Sequence, residues 1–518
     1  MLYRKFITVS ACMLLMGCLQ IKKLSSISED SLASKNFSFS SLSGGGVVNI
    51  PSGTYEYDAT LLGELQITNP IKIFGSGKNK TKLKFKVRNN QASIRILASN
   101  VEIANLEIEV EMIGSFGVGG GRAEYGTGIT AGMYLQNAEH DEVSNINLHD
   151  LSISRVPGSF VATAITLIGR VSFVNIENID ILENTSKLVI MHWGGYTDMI
   201  ENIPAPEALE RPEYALVETY HPHNINISNV NFERAANLFI ISSSYNINIE
   251  DISGGQTSDL LYMLPGDEIN DLAVSLDKQN IGKNITLKNI DFDLKTKADA
   301  NAYVVRLTSF GASILKKDEN GNRPAQELPY DNVLFENIKV NSVTRTSDAG
   351  GTRNYRFGIN AQDLTGSDIS FVNIDLNDVG SSRQTYNGVP GDSFAIYLRN
   401  SEGLDSSPIV FDGIFSSAQR GVGIIDSRSV IIKNSQFNRS ALAASSDQSS
   451  GVYFLEKNDH RAKVTNDIEI RNSLFGEYTE IIRYPPLSES SFCSKVNFTN
   501  ISHFVPLSGS LERDNSCL

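Results

Sequence analysis

Residues 285–292 read Ile-Thr-Leu-Lys-Asn-Ile-Asp-Phe, a phrase of alternating apolar residues around a central Asn that recurs along the chain. The alternation predicts two short strands, each with one buried face. Asn suits the corner between them because it tolerates left-handed backbone geometry and hydrogen-bonds locally. Further copies with Asn at the corner occupy residues 101–108, 174–181, 225–232, 333–340 and 369–376.

Looser copies of the phrase carry Asp150, Asp251 or Gly413 at the corner, or Ser after Asn434 and Asn472. The most closely spaced copies lie about 20 residues apart, which is the length of one coil of a parallel β-solenoid. If successive coils stack, the corner amides come into line, and we expect them to form a ladder of side-chain hydrogen bonds.

A second, less regular strand precedes each phrase, for example Leu-Leu-Tyr-Met at 260–263 and Phe-Ala-Ile-Tyr-Leu at 394–398. We therefore predict an all-β fold, a parallel β-helix of about a dozen coils with three strands per coil. A β-sandwich or a propeller is the alternative, but propeller blades need about 40–50 regular residues and different signatures.

The first coils carry a family resemblance. Residues 47–55 read Val-Val-Asn-Ile-Pro-Ser-Gly-Thr-Tyr, and residues 71–77 read Ile-Lys-Ile-Phe-Gly-Ser-Gly. This stretch resembles the start of the pectin lyase-like superfamily, which implies a right-handed parallel β-helix over 47–518. The superfamily hosts lyases, hydrolases, epimerases and adhesins, so the resemblance indicates fold and leaves the chemistry open.

The N-terminus is typical of a targeting segment. Arg4 and Lys5 precede an apolar run at 6–16 that is too short to span a bilayer. The sequence Leu-Met-Gly-Cys at 15–18 resembles the lipobox of bacterial lipoproteins, which implies removal of residues 1–17 and lipid on Cys18. No Asp follows Cys18, so we expect the outer membrane of a bacterial cell envelope. The alternative is an ordinary secretory signal that is cleaved elsewhere.

Residues 18–46 are rich in Ser and end in three glycines, so we predict a flexible tether between the lipid and the folded domain. The phrase continues to the C-terminal region without a break in composition, which favours one domain over 47–518. The mature chain keeps Cys493 and Cys517, and a disulfide between them would stabilise the C-terminal cap by about 3 kcal/mol.

The net charge of −14 and the pI near 5.1 argue against nucleic acid as a partner, because phosphate binding needs a basic face. We expect a polysaccharide and the membrane, reached through the lipid, as partners of a monomer. Insertions at 114–132, 194–220, 266–282, 310–331 and 381–392 interrupt the repeat. Long loops on a regular scaffold are where binding sites form, although some loops merely tolerate length.

One insertion brings together the single tryptophan of the chain and several titratable side chains. An aromatic ring beside titratable groups suits a sugar ring and proton transfer. The alternative is a loop held by its own polar contacts, and zinc is a weaker idea because only a His-x-His spacing supports it. The residues are His192, Trp193, Tyr196, Glu218, His221 and His223.

Alignment of the less regular strands predicts a second set, a stripe of outward-facing side chains. Arginine and tyrosine in such a stripe suit an anionic polysaccharide, since guanidinium grips a carboxylate with two hydrogen bonds. The alternative is a solvated sheet face, because a register error of one residue reverses the assignment. The residues are Tyr134, Gln136, Thr166, His192, Tyr262, Arg306, Arg356, Asn360, Tyr397 and Arg399.

Two further patterns concern catalysis. The carboxylates Glu218, Asp259, Asp267 and Glu268 are candidates for a glycoside hydrolase, which needs a pair of them. Residues 221–224, His-Pro-His-Asn, are similar to the Asp-Pro-His-Asp motif of mannuronan C5-epimerases. Only Pro222 and His223 match that motif, so the resemblance carries over His223 alone.

The leading hypothesis is an envelope lipoprotein that cleaves a uronate-containing polysaccharide by β-elimination in a lateral groove. This reaction needs a cation on the carboxylate and a base for the α-proton. Arg306 and Arg356 are candidates for the cation, and His192 or Tyr262 for the base. No cofactor is certain, and Ca²⁺ bound by acidic loops could take the place of an arginine. A glycoside hydrolase and a non-catalytic adhesin are the alternatives.

Overall fold

A computed structural model describes most of the folded chain. The chain divides into two units, Met1–Ser38 and Phe39–Leu518, and the fold described here is that of the second. The described residues are 37–88, 91–113, 127–133, 141–159, 162–182, 185–192, 221–264, 282–295, 302–309, 329–344, 356–380, 385–386, 389–390, 393–404, 406–441, 449–456, 465–483 and 495–504.

The described elements are almost all strands, which confirms the all-β prediction. Two short helices, the 3-10 helix Phe39–Ser43 and α1 (Ala59–Leu62), lie near the N-terminal end. No described helix has the length and apolar character needed to cross a membrane. The strands are β1 (Gly46–Asn49), β2 (Gly53–Asp58), β3 (Leu65–Ile67), β4 (Ile71–Phe74), β5 (Thr81–Arg88), β6 (Ala92–Ile96), β7 (Val101–Ile113), β8 (Thr127–Gly132), β9 (Val143–Arg155), β10 (Ala162–Ile168), β11 (Val171–Ile181), β12 (Thr185–His192), β13 (His223–Ser242), β14 (Tyr245–Thr257), β15 (Asp259–Leu264), β16 (Gly282–Lys295), β17 (Ala302–Leu307), β18 (Tyr330–Thr344), β19 (Arg356–Gln362), β20 (Thr365–Asp378), β21 (Thr385–Tyr386), β22 (Val389–Pro390), β23 (Ser393–Arg399), β24 (Glu402–Gly403), β25 (Ile409–Ala418), β26 (Arg420–Ile425), β27 (Arg428–Lys433), β28 (Gln436–Arg439), β29 (Ser450–Leu455), β30 (Asn466–Arg471), β31 (Leu474–Gly476), β32 (Glu480–Arg483), β33 (Val496–Thr499) and β34 (Ser502–Phe504).

The strands pair in parallel in two stacks. The first stack holds the Asn phrases and includes the consecutive pairs β9–β11–β13–β14–β16–β18–β20. The second stack holds the less regular strands and includes β8–β10–β12–β13–β15–β17–β19–β23–β26–β29–β32, with β13 contributing to both stacks. Successive strands that pair in parallel along the chain are the architecture of a parallel β-helix, as predicted.

The Asn corners adopt the predicted geometry and form the predicted ladder. Asn289, Asn337 and Asn373 have φ near +54°. The side-chain amide of Asn337 donates to Asn289 at 3.2 Å, and that of Asn373 donates to Asn337 at 2.7 Å. The ladder hydrogen bonds offset the cost of the left-handed backbone, which Asn bears more easily than most residues.

A second column of left-handed corners lies where each coil enters the first stack, and the sequence analysis did not identify it. Its amides also form a ladder, with Asn284 donating to Asn246 at 2.7 Å and Asn332 donating to Asn284 at 2.8 Å. Most of its members are Asn, Asp or Ser, and Phe173, at φ 50°, is the one large apolar residue among the described members named below. Its described members include Asn100, Asn145, Phe173, Asn224, Asn246, Asn284, Asn332, Asp368, Ser429 and Asp467.

The interior is filled by the alternate apolar residues of each strand, which are excluded from solvent. Phe335, Phe371 and Phe411 illustrate the packing, since their rings stack on one another with centroids 4.6 and 4.8 Å apart and nearly parallel planes. Burial of each such side chain stabilises the fold by about 1.5–3 kcal/mol. Identical residue types in register therefore hold the coils together from inside while leaving the outer faces free to vary.

Candidate functional site

The register of the second stack aligns four of the residues predicted to face outward. Tyr262 pairs with Arg306, Arg306 with Asn360, and Asn360 with Tyr397. Their sequence neighbours Leu261 and Met263 are fully buried, as alternation along a strand requires. We call the set Tyr262, Arg306, Asn360, Tyr397 and Tyr453 the outer row, because Gly423 links Tyr397 in register to Tyr453.

Arg306 is held between two aromatic rings. Its guanidinium carbon lies 4.4 Å from the ring centroid of Tyr262 and 5.3 Å from that of Tyr303. All three side chains are partly exposed. No carboxylate of the described residues lies within ion-pair distance of Arg306, so among these residues its positive charge is balanced only by the ring faces. The arrangement presents a planar, oriented cation to solvent.

Asp259 fixes Tyr303 in this arrangement. One carboxylate oxygen accepts a hydrogen bond from the Tyr303 backbone N–H at 2.9 Å, and the other accepts from the Asn237 amide at 2.6 Å. The Asp259 side chain is almost fully buried. Its oxygens are therefore engaged in positioning a neighbouring strand, which does not support the predicted role of Asp259 in glycoside hydrolysis.

Asn360 adds a polar group next to Arg306 in register. It is 2% exposed, and its side-chain oxygen has no hydrogen-bond partner among the described residues. A buried amide oxygen without a partner costs about 1–3 kcal/mol, so such a group is a reason to look for a ligand or an ordered water. The outer row thus places a phenol ring, a cation and a carboxamide on three successive strands of the stack.

The C-terminal part of the outer row packs into an aromatic cluster formed by Phe357, Phe394, Tyr397, Ile425 and Tyr453. The rings of Phe357 and Phe394 are parallel with centroids 5.9 Å apart, and Tyr397 meets both edge-on. Tyr397 is fully buried in the cluster, which does not support the direct substrate contact predicted for it. Thr166, also predicted to face solvent, is fully buried as well.

Arg420 closes the cluster at its far end. The guanidinium carbon lies 4.9 Å from the Tyr453 ring centroid, and one of its nitrogens donates to Ser450 at 2.7 Å. Burial, and then the nearby charge of Arg483, lower the pKa of Arg420 to about 10. Arg420 is fully enclosed and has a structural role, unlike Arg306, which reaches the surface.

Three other predicted residues do not join Arg306. His192 pairs with Ser242, which places it two strands and two residues from Tyr262, about 11 Å away at the Cα level. Arg356 pairs with Ala302 and Ser393, so it lies one strand and four residues from Arg306, about 14 Å away. Arg399 pairs with Gln362 and Ile425, two residues beyond the outer row.

The histidines at the end of the 194–220 insertion lie at the start of the first stack. His223 pairs with Tyr245, and His192 pairs with Ser242 of the same following coil. The residues that flank the insertion therefore pair with positions only three residues apart on the chain, Ser242 and Tyr245. His221 is fully buried and His223 is 7% exposed, so burial does not support ligand contact by His221.

The His223 ring has two polar neighbours. Its Nδ1 donates to the backbone oxygen of His221 at 2.8 Å, and its Nε2 lies 3.6 Å from a Glu142 carboxylate oxygen. These contacts tie His223 to the corner between the two stacks. The catalytic role carried over from the epimerase motif stays a prediction.

The remaining predicted residues lie outside the described ranges, so their roles stay predictions. They are Cys18, Tyr134, Gln136, Trp193, Tyr196, Glu218, Asp267, Glu268, Cys493 and Cys517. The side chains of His192 and Arg356 are likewise outside the described set, although their strands are within it. Within the described ranges no three His, Cys, Asp or Glu side chains come together to hold a metal ion, and calcium stays a prediction for the acidic loops.

Tyr303 is the site residue that sequence reasoning missed. Tyr303 and Arg306 are three residues apart, so strict alternation places them on opposite faces of the strand. The Tyr303 ring nevertheless contacts the Arg306 guanidinium. Phe357 and Phe394 precede Asn360 and Tyr397 by the same three residues and pair in register with Tyr303. The aromatic residue three positions before each of Arg306, Asn360 and Tyr397 is the signal that could have identified it.

No protein-family model matches the chain, and no curated protein matches it. Solved structures that resemble it include the N-terminal fragment of bacteriophage phi29 gene product 12, at 13% identity and a TM-score of 0.45, covering 95% of this chain and 68% of that one. The catalytic domain of a GH87 α-1,3-glucanase in complex with nigerose matches at 12% identity and a TM-score of 0.34.

The match with the glucanase domain covers 92% of this chain. It covers 65% of the glucanase domain, a little under two thirds of that domain's length. The A-module of a mannuronan C-5 epimerase from Azotobacter vinelandii matches at 10% identity and a TM-score of 0.32, covering 90% of this chain and 92% of that one. The fold and the site described above rest on the chain's own strand pairing and side-chain contacts.

Proposed function

We propose that this protein binds an acidic, uronate-containing polysaccharide along the outer face of the second stack and cleaves it by β-elimination. The observation that carries the proposal is the guanidinium of Arg306, clamped between Tyr262 and Tyr303 without a carboxylate partner in the described part of the chain. As part of the same proposal, lipid on Cys18 holds the protein in the bacterial envelope, at the outer membrane.

The chemistry of Arg306 favours a carboxylate ligand. A guanidinium presents N–H donors in a plane and binds a carboxylate with two parallel hydrogen bonds. The guanidinium lies over the rings of Tyr262 and Tyr303 and is partly exposed, so its N–H donors can reach a ligand.

The reaction assigns each group one task. Arg306 neutralises the uronate carboxylate, which makes the hydrogen on the adjacent ring carbon acidic. Tyr262, as phenolate, takes that proton; the electron pair forms a carbon–carbon double bond, and the glycosidic carbon–oxygen bond breaks. The proton then passes to the leaving oxygen, so one unsaturated and one saturated chain end result. Tyr262 fits the role of base better than His192, which lies about 11 Å away along the stack.

The experiment is incubation of the chain with a panel of polyuronates while following the ultraviolet absorbance of unsaturated products. The Tyr262→Phe variant should bind substrate with little change and lose product formation, because it keeps the ring over Arg306 and removes the hydroxyl. Release of reducing ends without unsaturation would identify hydrolysis instead. Binding to polyuronates without any cleavage would reject elimination and leave a non-catalytic binding protein.

The anchoring part of the proposal has a separate test. Cells that produce the protein are grown with labelled palmitate, and the Cys18→Ser variant serves as the control. Label on the natural chain and its absence from the variant, with recovery in the outer-membrane fraction, is the expected result. An unlabelled natural chain released into the medium would overturn lipid anchoring without bearing on the polysaccharide site.

A further inference from the structure

The corner column of the first stack is interrupted by a phenylalanine. Ser172 and Val174 pair with Ser144 and Ile146 on one side and with His223 and Ile225 on the other. Phe173 therefore occupies the same column as the asparagines at 145 and 224. It has a φ of 50° and is 58% exposed, one of the most exposed large apolar side chains in the described ranges.

The position is unfavourable for phenylalanine on two grounds. Bulky residues rarely adopt positive φ, and where they do, the strain is commonly associated with function. The ring also breaks the amide ladder, which runs from Asn145 to Asn100 at 3.3 Å on one side and from Asn246 to Asn224 at 3.0 Å on the other. An asparagine would fit the backbone and connect the two runs, whereas the Phe173 ring makes one edge-on contact, with His223 at 6.4 Å between centroids. Neither the backbone geometry nor the ladder therefore explains a phenylalanine here.

The ring stands beside a groove whose walls are carboxamides. The groove has a volume of about 470 Å³, and none of its described lining residues is charged. Two rows of amides form it, because Asn175 and Asn226 pair in register two residues after the corner column. The lining residues are Phe173, Val174, Asn175, Asn224, Asn226 and Asn246.

The amides keep hydrogen-bonding capacity for a ligand. A carboxamide has two N–H donors and two oxygen lone pairs, and each ladder hydrogen bond uses only one of these. Asn224 and Asn246 therefore keep donors and acceptors that the ladder does not use. Asn226 is exposed, and no hydrogen bond of its side chain is present among the described residues. Neighbouring strands are about 4.8 Å apart, so the amides recur at a spacing close to the length of one sugar ring in an extended glycan.

We propose that this groove is a binding subsite for an uncharged polysaccharide, in which one sugar ring stacks on Phe173. The face of a pyranose ring is lined with C–H groups that pack on an aromatic ring, and its hydroxyls match carboxamide donors and acceptors. Because the described lining residues are uncharged, the groove favours a neutral sugar over an acidic one. The subsite lies on the first stack and is independent of Arg306 on the second.

The decisive variant is Phe173→Asn, which restores the residue type of the column. Binding of the full chain to neutral glycans (laminarin, dextran and xylan) is measured by affinity electrophoresis, together with the melting temperature. We expect at least about a tenfold loss of affinity for the glycan that binds, with a melting temperature unchanged or raised by a degree or two. A purely structural phenylalanine would give the reverse, a lower melting temperature and unchanged affinity.

Two further variants make the result specific. Asn226→Ala removes an exposed amide of the groove and should lower the affinity several-fold. Leu61→Asn changes another strongly exposed apolar side chain, on α1, and should leave the affinity unchanged. Failure of the natural chain to bind any of the three glycans, or retention of full affinity by Phe173→Asn, would overturn the proposal. Arg306→Gln should not alter neutral-glycan binding, which separates this subsite from the uronate site.

Discussion

Arg306 and Tyr262 are partners in register on neighbouring strands, and the guanidinium carbon lies 4.4 Å from the ring centroid. The same guanidinium carbon lies 5.3 Å from the ring centroid of Tyr303, so two rings restrict the position of the cation. A cation–π contact of this kind is worth about 0.5–2 kcal/mol and leaves the N–H edge free. The pair therefore provides a preformed grip for a carboxylate on an otherwise regular sheet face.

Replacement of Arg306 tests this grip directly. Arg306→Gln should reduce the affinity for polyuronates by about tenfold to a hundredfold, since a charge-assisted hydrogen bond to a carboxylate contributes about 1.5–3 kcal/mol. Arg306→Lys keeps the charge without the planar donor pair and should give an intermediate loss. Titration calorimetry is the measurement, with Arg88→Gln on an exposed strand position as the control. Equal loss for the two arginine positions would point to bulk charge instead of a site.

Asn337 provides a test of the corner ladder. It accepts from Asn373 and donates to Asn289, and its φ is 54°. Asn337→Ala removes both hydrogen bonds and places a residue with a Cβ but no polar group in the left-handed region, so we expect a loss of about 2 kcal/mol. Asn337→Gly should cost about half as much, because glycine adopts this backbone without strain.

The measurement is urea unfolding followed by circular dichroism. Asn341→Ala is the control, since Asn341 lies on the same strand and its side chain takes no part in the ladder. If the alanine variant is no less stable than the glycine variant, the left-handed backbone at this corner does not cost alanine any stability, and that part of the prediction is wrong.

The corners and rows of this fold could be predicted because they depend on local chemistry repeated in register. Asn289 stands between two alternating apolar pairs, and its backbone and ladder follow from that pattern. Tyr262, Arg306 and Asn360 could be aligned because each occupies the same place in its strand. Both inferences need only the periodicity of strands and the identity of neighbouring residues.

The parts that could not be predicted depend on packing between coils. Tyr397 occupies the same row as Arg306 and yet is buried, because two rings pack against it: Phe394, three residues earlier on its own strand, and Phe357 on the neighbouring strand. Nothing in the sequence around Phe173 marks it as unusual. Its position in the corner column is evident only from the strand register, which places it between two asparagines. The environment of such residues depends on which residues of neighbouring coils stack on them, and the sequence of a single strand does not specify that.

Gly423 tests the packing of the aromatic cluster. A Cβ at this position would lie 2.7 Å from Phe394 Cε1 and 3.3 Å from Tyr397 Cδ2, closer than van der Waals contact allows. Gly423→Ala should therefore destabilise the fold by about 1–3 kcal/mol. The melting temperature is the readout, and Gly44→Ala, where the nearest atom is 3.7 Å away, is the control.

A second substitution establishes the cause of that loss. Phe394→Leu in the Gly423→Ala background frees space around the added methyl group, so the double variant should be more stable than the sum of the single effects predicts. Strict additivity would show that the glycine is needed for its backbone and not for the ring beside it.

His149 lies between two carboxylates on the outer face of the first stack. Its Nδ1 is 2.8 Å from Asp150 and its Nε2 is 3.1 Å from Glu102. Burial acts to lower the pKa of His149, but the hydrogen bonds with Asp150 and Glu102 raise it above its ordinary value of 6.5. The charged form is thus favoured in the folded chain, and protonated His149 joins the two strands.

The stability that follows has a defined sign. A folded pKa above the unfolded value means that the contribution is complete below about pH 6.5 and is lost as the pH rises through the folded pKa. The carboxylates act in the opposite direction: hydrogen bonds with Lys72 and His149 lower the pKa of Glu102, and one with His149 lowers that of Asp150. Their contribution is present above about pH 4 and is lost as the pH falls through the lowered values.

The melting temperature between about pH 6 and pH 9 is the measurement. In the natural chain we expect a decline across this range, and in His149→Gln a smaller one, because glutamine has no proton to lose. The difference should be modest, since the Asp150 side chain is more than a third exposed and water screens the pair. A natural chain that becomes more stable than the variant as the pH rises would show that His149 is neutral in the fold at neutral pH.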